Sequence, residues 1–376
     1  MSFDWPWPPV YGGVIDVYHR IDALLARGVD VRLHVVAHDD RRSTCPAHWR
    51  AAGIEVFAHR RRGALSALSR KPYIVASRQV GSLLPNLANG APVILFEGTH
   101  CTGWLGHPRL GDHAQWVRVH NVEADYYAEL SASPATPGRR AYYREEARRL
   151  RGYETEVLAQ ADLLLPISAT DEAWCEGVNP GRVLGHRGYS GARQVDIRSG
   201  LGEYVLFHGG LHIGDNAIAA LSVAEALAKN APGIPVVIAG RRPPPRLAQS
   251  LAAYGNARLV ADPSREAMQS LIQQAQVAVL RAGHGAGFKI KLVESLALAR
   301  HVAANEAMYR GARDLVSGVS TFEDDAQLAA AVKGVWGVGV DEAEVARRRR
   351  LLRPYLPEHL VGAFIERLRA ETFKRN

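Results

Sequence analysis

Cysteine is scarce in this chain of 376 residues: Cys45, Cys101 and Cys175 stand far apart and no C-x-x-C pair occurs. That spacing argues against a zinc site and against a disulfide framework, and makes a reducing cytoplasm the expected compartment. No apolar stretch approaches the roughly 18–20 uninterrupted residues that a membrane-spanning helix needs. The opening Met1-Ser2-Phe3-Asp4-Trp5-Pro6 has neither the basic flank nor the apolar run of a signal peptide. A G-x-S-x-G elbow, a P-loop G-x-x-x-x-G-K-[ST] and an H-E-x-x-H pair are all missing. No D-x-D triplet occurs either, so a diphosphate bridged to the protein through a metal ion is not expected.

What is present fits a soluble globular protein. Hydrophobic residues make up 47% and charged residues 22%, and the length suffices for two domains with separate cores. The net charge is +8 and the pI near 9.5. Basic residues gather at Arg60–Arg62, from Arg139 to Arg151, and at Arg347–Arg350. Such a surface attracts nucleic acid, an anionic membrane face or phosphorylated small molecules. The arginine clusters are not interleaved with stacking aromatics, which disfavours nucleic acid. The run at Arg347 follows Asp341, Glu342 and Glu344 on one expected helix, where opposite charges pair along a solvated face.

Short apolar runs alternate with amphipathic stretches, the pattern of stacked βαβ units. Strands are expected near Val31–Val36, Ile54–Phe57, Val93–Phe96, Trp116–His120 and Leu163–Pro166, then near Tyr204–His208, Pro235–Ala239, Arg258–Ala261, Val277–Leu280 and His301–Ala304. Apolar spacing places helices at Ile15–Arg27, Ala217–Lys229, Arg265–Gln274 and Lys289–Leu298. The seam between halves falls in Gly188–Leu201, and Pro354 and Pro357 precede a last amphipathic stretch, Leu360–Arg369. Only Met1–Trp5 precede the first Gly-containing turn, so the strand expected there is stunted or begins upstream.

Several segments carry chemistry. Tyr11-Gly12-Gly13-Val14 opens the first helix, where glycine admits a close ligand and unpaired N–H groups face an anion such as a diphosphate; plain turn chemistry is the alternative. A similar turn, Phe207-His208-Gly209-Gly210-Leu211-His212-Ile213-Gly214, follows a strand in the second half without the dinucleotide fingerprint. Gly283-His284-Gly285-Ala286-Gly287-Phe288-Lys289-Ile290-Lys291-Leu292-Val293-Glu294 runs from a strand into a helix. There Lys289 and Lys291 can meet phosphate charge and Glu294 can accept from ribose hydroxyls, as against an ordinary charged surface helix. In the first half, Glu97-Gly98-Thr99-His100 and Arg118-Val119-His120-Asn121-Val122-Glu123 stand at strand ends, where open α/β sheets place ligands. Asn121 is a suitable N-cap for a helix carrying Tyr126 and Tyr127.

Taken together, these segments resemble the glycosyltransferase family 4 group of GT-B enzymes, in a bacterial branch, over nearly the whole chain. The resemblance is carried by Pro8-Pro9-Val10-Tyr11-Gly12-Gly13-Val14-Ile15-Asp16, by the Glu97 and His120 segments with Tyr126-Tyr127, and by Gly287-Phe288-Lys289-Ile290-Lys291-Leu292-Val293-Glu294. It implies an α/β GT-B fold, two Rossmann-like parallel-sheet domains facing each other across a cleft. Residues 1–195 would form the acceptor-side domain, 196–355 the nucleotide-sugar domain, and 356–376 a helix returning to the first. The implied activity is transfer of a sugar from a nucleoside-diphosphate-sugar to a saccharide or lipid-linked acceptor, as in polysaccharide synthesis, with retention and without a metal or other cofactor. The enzyme would be cytoplasmic, with room for peripheral contact at the inner face of an anionic membrane and none for nucleic acid.

By carry-over, Glu294 holds the ribose, Gly12 and Gly13 the diphosphate, and His120 the sugar, with Glu97 orienting the acceptor or sharing in that positioning. His100, Arg118, Asn121, Gly209, Gly210, Gly287 and Phe288 complete the substrate-binding set. Two departures stand out. Ala286 replaces the first Glu of the paired motif, and the usual Arg and Lys after the first C-domain strand are absent, with Gly210 and Asn216 near their places. Lys289, Lys291 and Arg241 are the candidates to supply that charge. A nucleotide-sugar 2-epimerase of the same fold and a non-catalytic donor-binding protein remain open alternatives.

Overall fold

The computed structural model describes residues 1–132, 136–283, 285 and 287–375. In chain order the principal elements are α1 (Gly12–Leu25), β1 (Arg32–Ala37), β2 (Glu55–Arg60), β3 (Val93–Glu97), β4 (Ala114–Val119), α2 (Glu123–Ala132), α3 (Pro137–Leu158), β5 (Leu163–Pro166) and α4 (Ala169–Val178). There follow β6 (Val205–Gly210), α5 (Gly214–Asn230), β7 (Val236–Arg241), β8 (Ala257–Ala261), α6 (Arg265–Gln274), β9 (Val277–Leu280), α7 (Ile290–Leu298), β10 (His301–Ala304), β11 (Ser320–Thr321), α8 (Glu342–Leu352) and α9 (Pro357–Arg375). The chain divides into two compact units. One comprises residues 1–189, Gly287, Phe288 and 357–376; the other comprises 190–285 and 289–356.

In the first unit β1 pairs with β2, and β3, β4 and β5 form a second parallel sheet with β4 in the middle. The segment before α1 pairs with both. Ser2 donates to the His34 carbonyl at 2.7 Å and accepts from Val36 at 3.1 Å, while the Met1 carbonyl accepts from Glu97 at 3.0 Å. Two residues thus make strand-like pairing on either side. Helix α1 buries Val14, Val17, Ile21 and Leu24 at helical spacing, and carries Asp16 and Arg20 on the same buried face. Helix α9 belongs to this unit: Leu360, Val361 and Phe364 pack with Trp116, Leu163 and Leu165 of β4 and β5. The ring of Phe364 meets Trp116 edge-on at 5.7 Å.

The second unit is one parallel sheet in the order β11-β10-β9-β6-β7-β8. Its strands are continuous apolar runs because helices cover them, and Phe207, Ile238, Val279, Val223 and Leu227 form the core. The non-sequential order places the C-terminal ends of β6, β7 and β9 on one edge.

Several boundaries differ from those expected, and the differences concern the ligand-binding candidates. Helix α1 begins at Gly12, with Tyr11 as an extended N-cap, so both glycines lie in its first turn. Strand β4 ends at Val119, which puts His120 just beyond it. Strand β6 runs through Gly209 and Gly210, so these are strand residues and the turn proper is Leu211–Ile213. Asn121 does not cap α2. The α2 entrance is held instead by Glu154 of α3, which accepts from the N–H groups of Glu123 and Ala124 at 3.0 and 2.8 Å. A carboxylate from another helix replaces the local side chain because the first turn is buried against α3.

The basic runs are paired in part. Glu145 takes Arg148 and Arg149, and Glu344 takes Arg347 and Arg348. The Arg347 run is not wholly a solvated face: Arg348 is buried and donates to the Leu296 carbonyl at 3.0 Å. Cys45, Cys101 and Cys175 are buried, free thiols. Among the described residues no helix is long and apolar enough to cross a membrane.

Candidate functional site

In the first unit the sequence-predicted polar residues converge on a buried charge network. Asp16 is fully enclosed and receives Arg118 in a fork, Nε to Oδ2 at 3.0 Å and Nη2 to Oδ1 at 2.8 Å. Arg20 donates to Asp16 Oδ2 at 3.2 Å and bonds Glu97 Oε1 with its other nitrogen. The Tyr189 N–H adds a bond to Asp16 Oδ1 at 2.7 Å. Burial opposes ionisation of Asp16, but Arg118 and Arg20 outweigh it and hold the carboxyl well below its ordinary range. Glu97 behaves alike: burial pushes it up, and Arg20 and His120 bring it below.

His120 follows from this network. Its Nε2 lies 3.2 Å from Glu97 Oε2, and its Nδ1 has no hydrogen-bond partner. With Glu97 ionised, the neutral ring carries its proton on Nε2 and keeps a lone pair on Nδ1. Gly98 turns the chain at φ +68°, where a Cβ would meet His100 Nδ1 at 3.1 Å and His120 Cδ2 at 3.5 Å. The Phe3 ring lies 5.2 Å from His100 and 5.7 Å from His120. It also underlies Gly13, where a Cβ would meet the ring at 2.8 Å, whereas Gly12 is open. Gly287, at φ +67°, is packed so closely that a Cβ would overlap the Asn121 side chain. Phe288 is buried against Gly188.

Around this core lie acids whose carboxyls are raised by burial. Burial and the neighbouring Glu154 push Glu123 up to about 8, and burial pushes Glu154 up to about 7 and Asp171 up to about 6. His100 lies 3.8 Å from Glu123 and is held neutral, chiefly by burial and then by Arg78. Asp16, Glu97 and His120 present possible ligand atoms within 4.8 Å of one another. Arg20 and Arg118 already occupy those carboxylates, and their charge would repel a cation.

The second unit gathers its candidates at the C-terminal edge of its sheet. Glu294 accepts from the Gly191 N–H at 3.0 Å through Oε1, while Oε2 makes no hydrogen bond among the described residues. Burial raises its carboxyl, and the Gly191 bond and Arg265 work against that rise. Lys291 sets its ammonium 5.5 Å over the Phe207 ring, and burial beside Lys289 pushes it down to about 8. His208 donates to or accepts from Ser295 Oγ at 2.8 Å and is driven down to about 3 by burial and Lys291. Lys289 is the N-cap residue of α7. Arg241 ends β7 exposed, its carbonyl accepting from the His212 N–H at 3.3 Å.

No family model matches the chain. An uncharacterized 44.6 kDa protein in the cps region of Klebsiella pneumoniae is 24% identical over 311 residues, 79% of each chain. The structure is similar to sucrose-phosphate synthase of Thermosynechococcus elongatus, with a TM-score of 0.68 and 15% identity over 100% of this chain and 99% of that one. It is also similar to Anabaena Alr3699/HepE in complex with UDP and glucose, with a TM-score of 0.63 and 12% identity over 98% of both. The chain has the GT-B fold.

On this GT-B frame the candidates divide. Gly12, Gly13, His100, His120, Asn121 and Gly287 lie around one another in the first unit, and Lys291 and Glu294 share a helix of the second. Arg118 departs from expectation: it is fully buried, and its nitrogens are spent on Asp16 and on the carbonyls of His186 and Arg187. It has nothing left for a substrate. Glu97 is likewise buried, its oxygens turned to Arg20 and His120. Gly209 and Gly210 are sheet residues, and Gly214, open at the uncapped start of α5, takes the place expected of them. Ala286 and His284 lie outside the described residues. Asp16, Arg20 and Phe3 were not expected. Asp16 and Arg20 stand four apart on the apolar face of α1, a sign of buried pairing that the sequence does carry.

The assignment of Arg118 to structure has a direct consequence. Replacing Arg118 by Met should cost about 3–5 kcal/mol, because Asp16 is left charged and unpaired in the interior. Chemical denaturation should show the loss, whereas a ligand-contacting arginine would leave stability intact and weaken nucleotide binding alone.

Proposed function

We propose that this protein is a retaining, metal-independent glycosyltransferase of the family 4 type. It would transfer a sugar from a nucleoside-diphosphate-sugar to a saccharide or lipid-linked acceptor. The observation that carries the reading is Glu294: a carboxylate with one oxygen fixed by a backbone N–H and the other unbonded among the described residues, one helical turn after Lys291 at the C-terminal edge of a parallel sheet. That is the arrangement a ribose diol and a neighbouring diphosphate require. The likeness in fold to HepE, which was crystallised with UDP and glucose, makes UDP-sugars the first donors to try.

In this reading Glu294 accepts from the ribose hydroxyls, Lys289 and Lys291 meet the diphosphate, and Arg241 stands in reserve at the end of β7. Gly12 and Gly13 offer the unpaired N–H groups of α1 to phosphate oxygens. Negative charge grows on the leaving diphosphate as the sugar becomes oxocarbenium-like, so fixed cations and N–H dipoles lower the barrier without a metal. His120 positions the sugar, its ring held by Glu97. A 2-epimerase would need a carboxylate free to act as base, yet Glu97 is committed to Arg20 and His120.

Incubation with UDP- and GDP-sugars in EDTA should release nucleoside diphosphate. Conversion of the sugar without release would establish the epimerase, and binding without turnover the non-catalytic reading. Glu294→Ala should lose hydrogen bonds to a charged group, about 1.5–3 kcal/mol, and so weaken UDP binding roughly tenfold or more by calorimetry. Lys291 binds phosphate as an ammonium. UDP affinity should therefore be full below about pH 8 and fall as the pH rises through that value. Lys291→Met should bind weakly throughout and lack the inflection. His120→Ala should lower kcat by roughly a hundredfold at an unchanged melting temperature. A stable variant with unaltered kcat would remove His120 from the reaction.

A further inference from the structure

The buried arginines of this protein fall into two kinds. Arg20 and Arg118 are each paired with a carboxylate, and Arg348 with Glu344. Arg300 has none, but its three nitrogens donate to the carbonyls of Gly200, Gln273 and Ser199. Arg78 follows neither pattern. It is 8% exposed, its Nε donates to the Phe3 carbonyl and its Nη1 to the Ile74 carbonyl, each at 2.9 Å, and Nη2 makes no hydrogen bond among the described residues. No carboxylate lies within salt-bridge range of it among those residues.

A second cation makes the arrangement costlier. Arg61 binds Ser77 Oγ through Nε at 3.0 Å, beside Arg78 in the chain, and lies over the Tyr73 ring at 5.3 Å. Its terminal nitrogens are likewise without hydrogen bonds, and it too has no acidic partner among the described residues. The adjacent acid, Glu146, is turned to the Ile74 N–H at 2.7 Å. Arg61 lies near enough to disfavour the charge on Arg78, and the spare nitrogens of both reach solvent, so the pair is a cationic spot that an anion would satisfy. Arg78 is anchored on Phe3, the residue whose ring floors His100, His120 and Gly13. Beyond Arg61, Tyr73 and Tyr142 meet edge-on at 6.3 Å, Tyr142 and Tyr143 lie 5.6 Å apart, and Tyr142 is 38% exposed. Such rings suit the apolar face of a sugar or a hydrocarbon chain.

We infer that Arg61 and Arg78 form the acceptor subsite of the first unit and bind a phosphate or diphosphate carried by the acceptor, the remainder of which lies on the tyrosine surface. Nη2 of Arg78 and the terminal nitrogens of Arg61 are the donors left for phosphate oxygens, and their charge selects an ionic acceptor over a neutral glycan. The inference rests on the transferase reading only for the word acceptor; the anion site stands on the arginines themselves.

The test uses the full chain, first saturated with UDP so that the donor's own phosphate contacts are occupied. Calorimetry should show pyrophosphate binding once per chain, weakened at least tenfold by Arg61→Met and by Arg78→Lys, with UDP affinity and melting temperature unchanged in Arg61→Met. Arg61 is half-buried, so its variant should fold even if an Arg78 variant does not. Farnesyl diphosphate binding more tightly than glucose 1-phosphate would identify a lipid carrier, and the reverse a soluble sugar phosphate. Absence of pyrophosphate binding, or equal binding by wild type and both variants, overturns the proposal. If UDP fails to bind while pyrophosphate does, the transferase reading falls and the anion site remains.

Discussion

One carboxylate organises the first unit. Asp16 gathers a guanidinium from β4, a second from its own helix and a backbone N–H from Tyr189. Through Arg20 the order passes to Glu97, and from Glu97 to His120. Each charge is enclosed, so each link is defined by the need to leave no ion unpaired, and geometry follows from electrostatics. The ring proposed to position the sugar is thereby held from behind by a chain of contacts that begins in a helix. Phe3 completes the support from the other side, by contact rather than charge.

The alternation of strand and helix was readable because parallel strands buried on both faces are continuous apolar runs between amphipathic helices. The GT-B class came from the resemblance of the motifs, and with it the roles expected of Glu294 and Lys291 at a Gly-rich entrance. What sequence could not show was direction. Arg118 and His120 are two residues apart on or just past β4, and both looked like strand-end ligands, but the first is turned to Asp16 and the second to Glu97. Only the fold brings Asp16 and Arg118 together over a separation of 102 residues. Asn121 failed as a cap for the same reason: Glu154, on α3, reaches that helix entrance, and nothing local to Asn121 announces it.

The two units use charge differently. In the first, opposite ions are packed in contact and cancel, with Arg61 and Arg78 as the departure. In the second, Lys291 has an aromatic face and another lysine for company, and burial pushes it down to about 8. A cation kept at the verge of losing its proton gains most when an anion arrives, which is the economy expected of a binding group rather than of a structural one.

The placement of α9 bears on how the chain acquires its shape during synthesis. Trp116, Leu163 and Leu165 are covered by Leu360, Val361 and Phe364, and these leave the ribosome only after every residue of the second unit. The sheet of β3, β4 and β5 must therefore wait with one apolar flank uncovered while the roughly 190 residues that follow β5 emerge, on the order of ten seconds or more at ordinary rates of synthesis. The unit translated first is the last to be finished, and through that interval its exposed tryptophan face is the surface a chaperone would find.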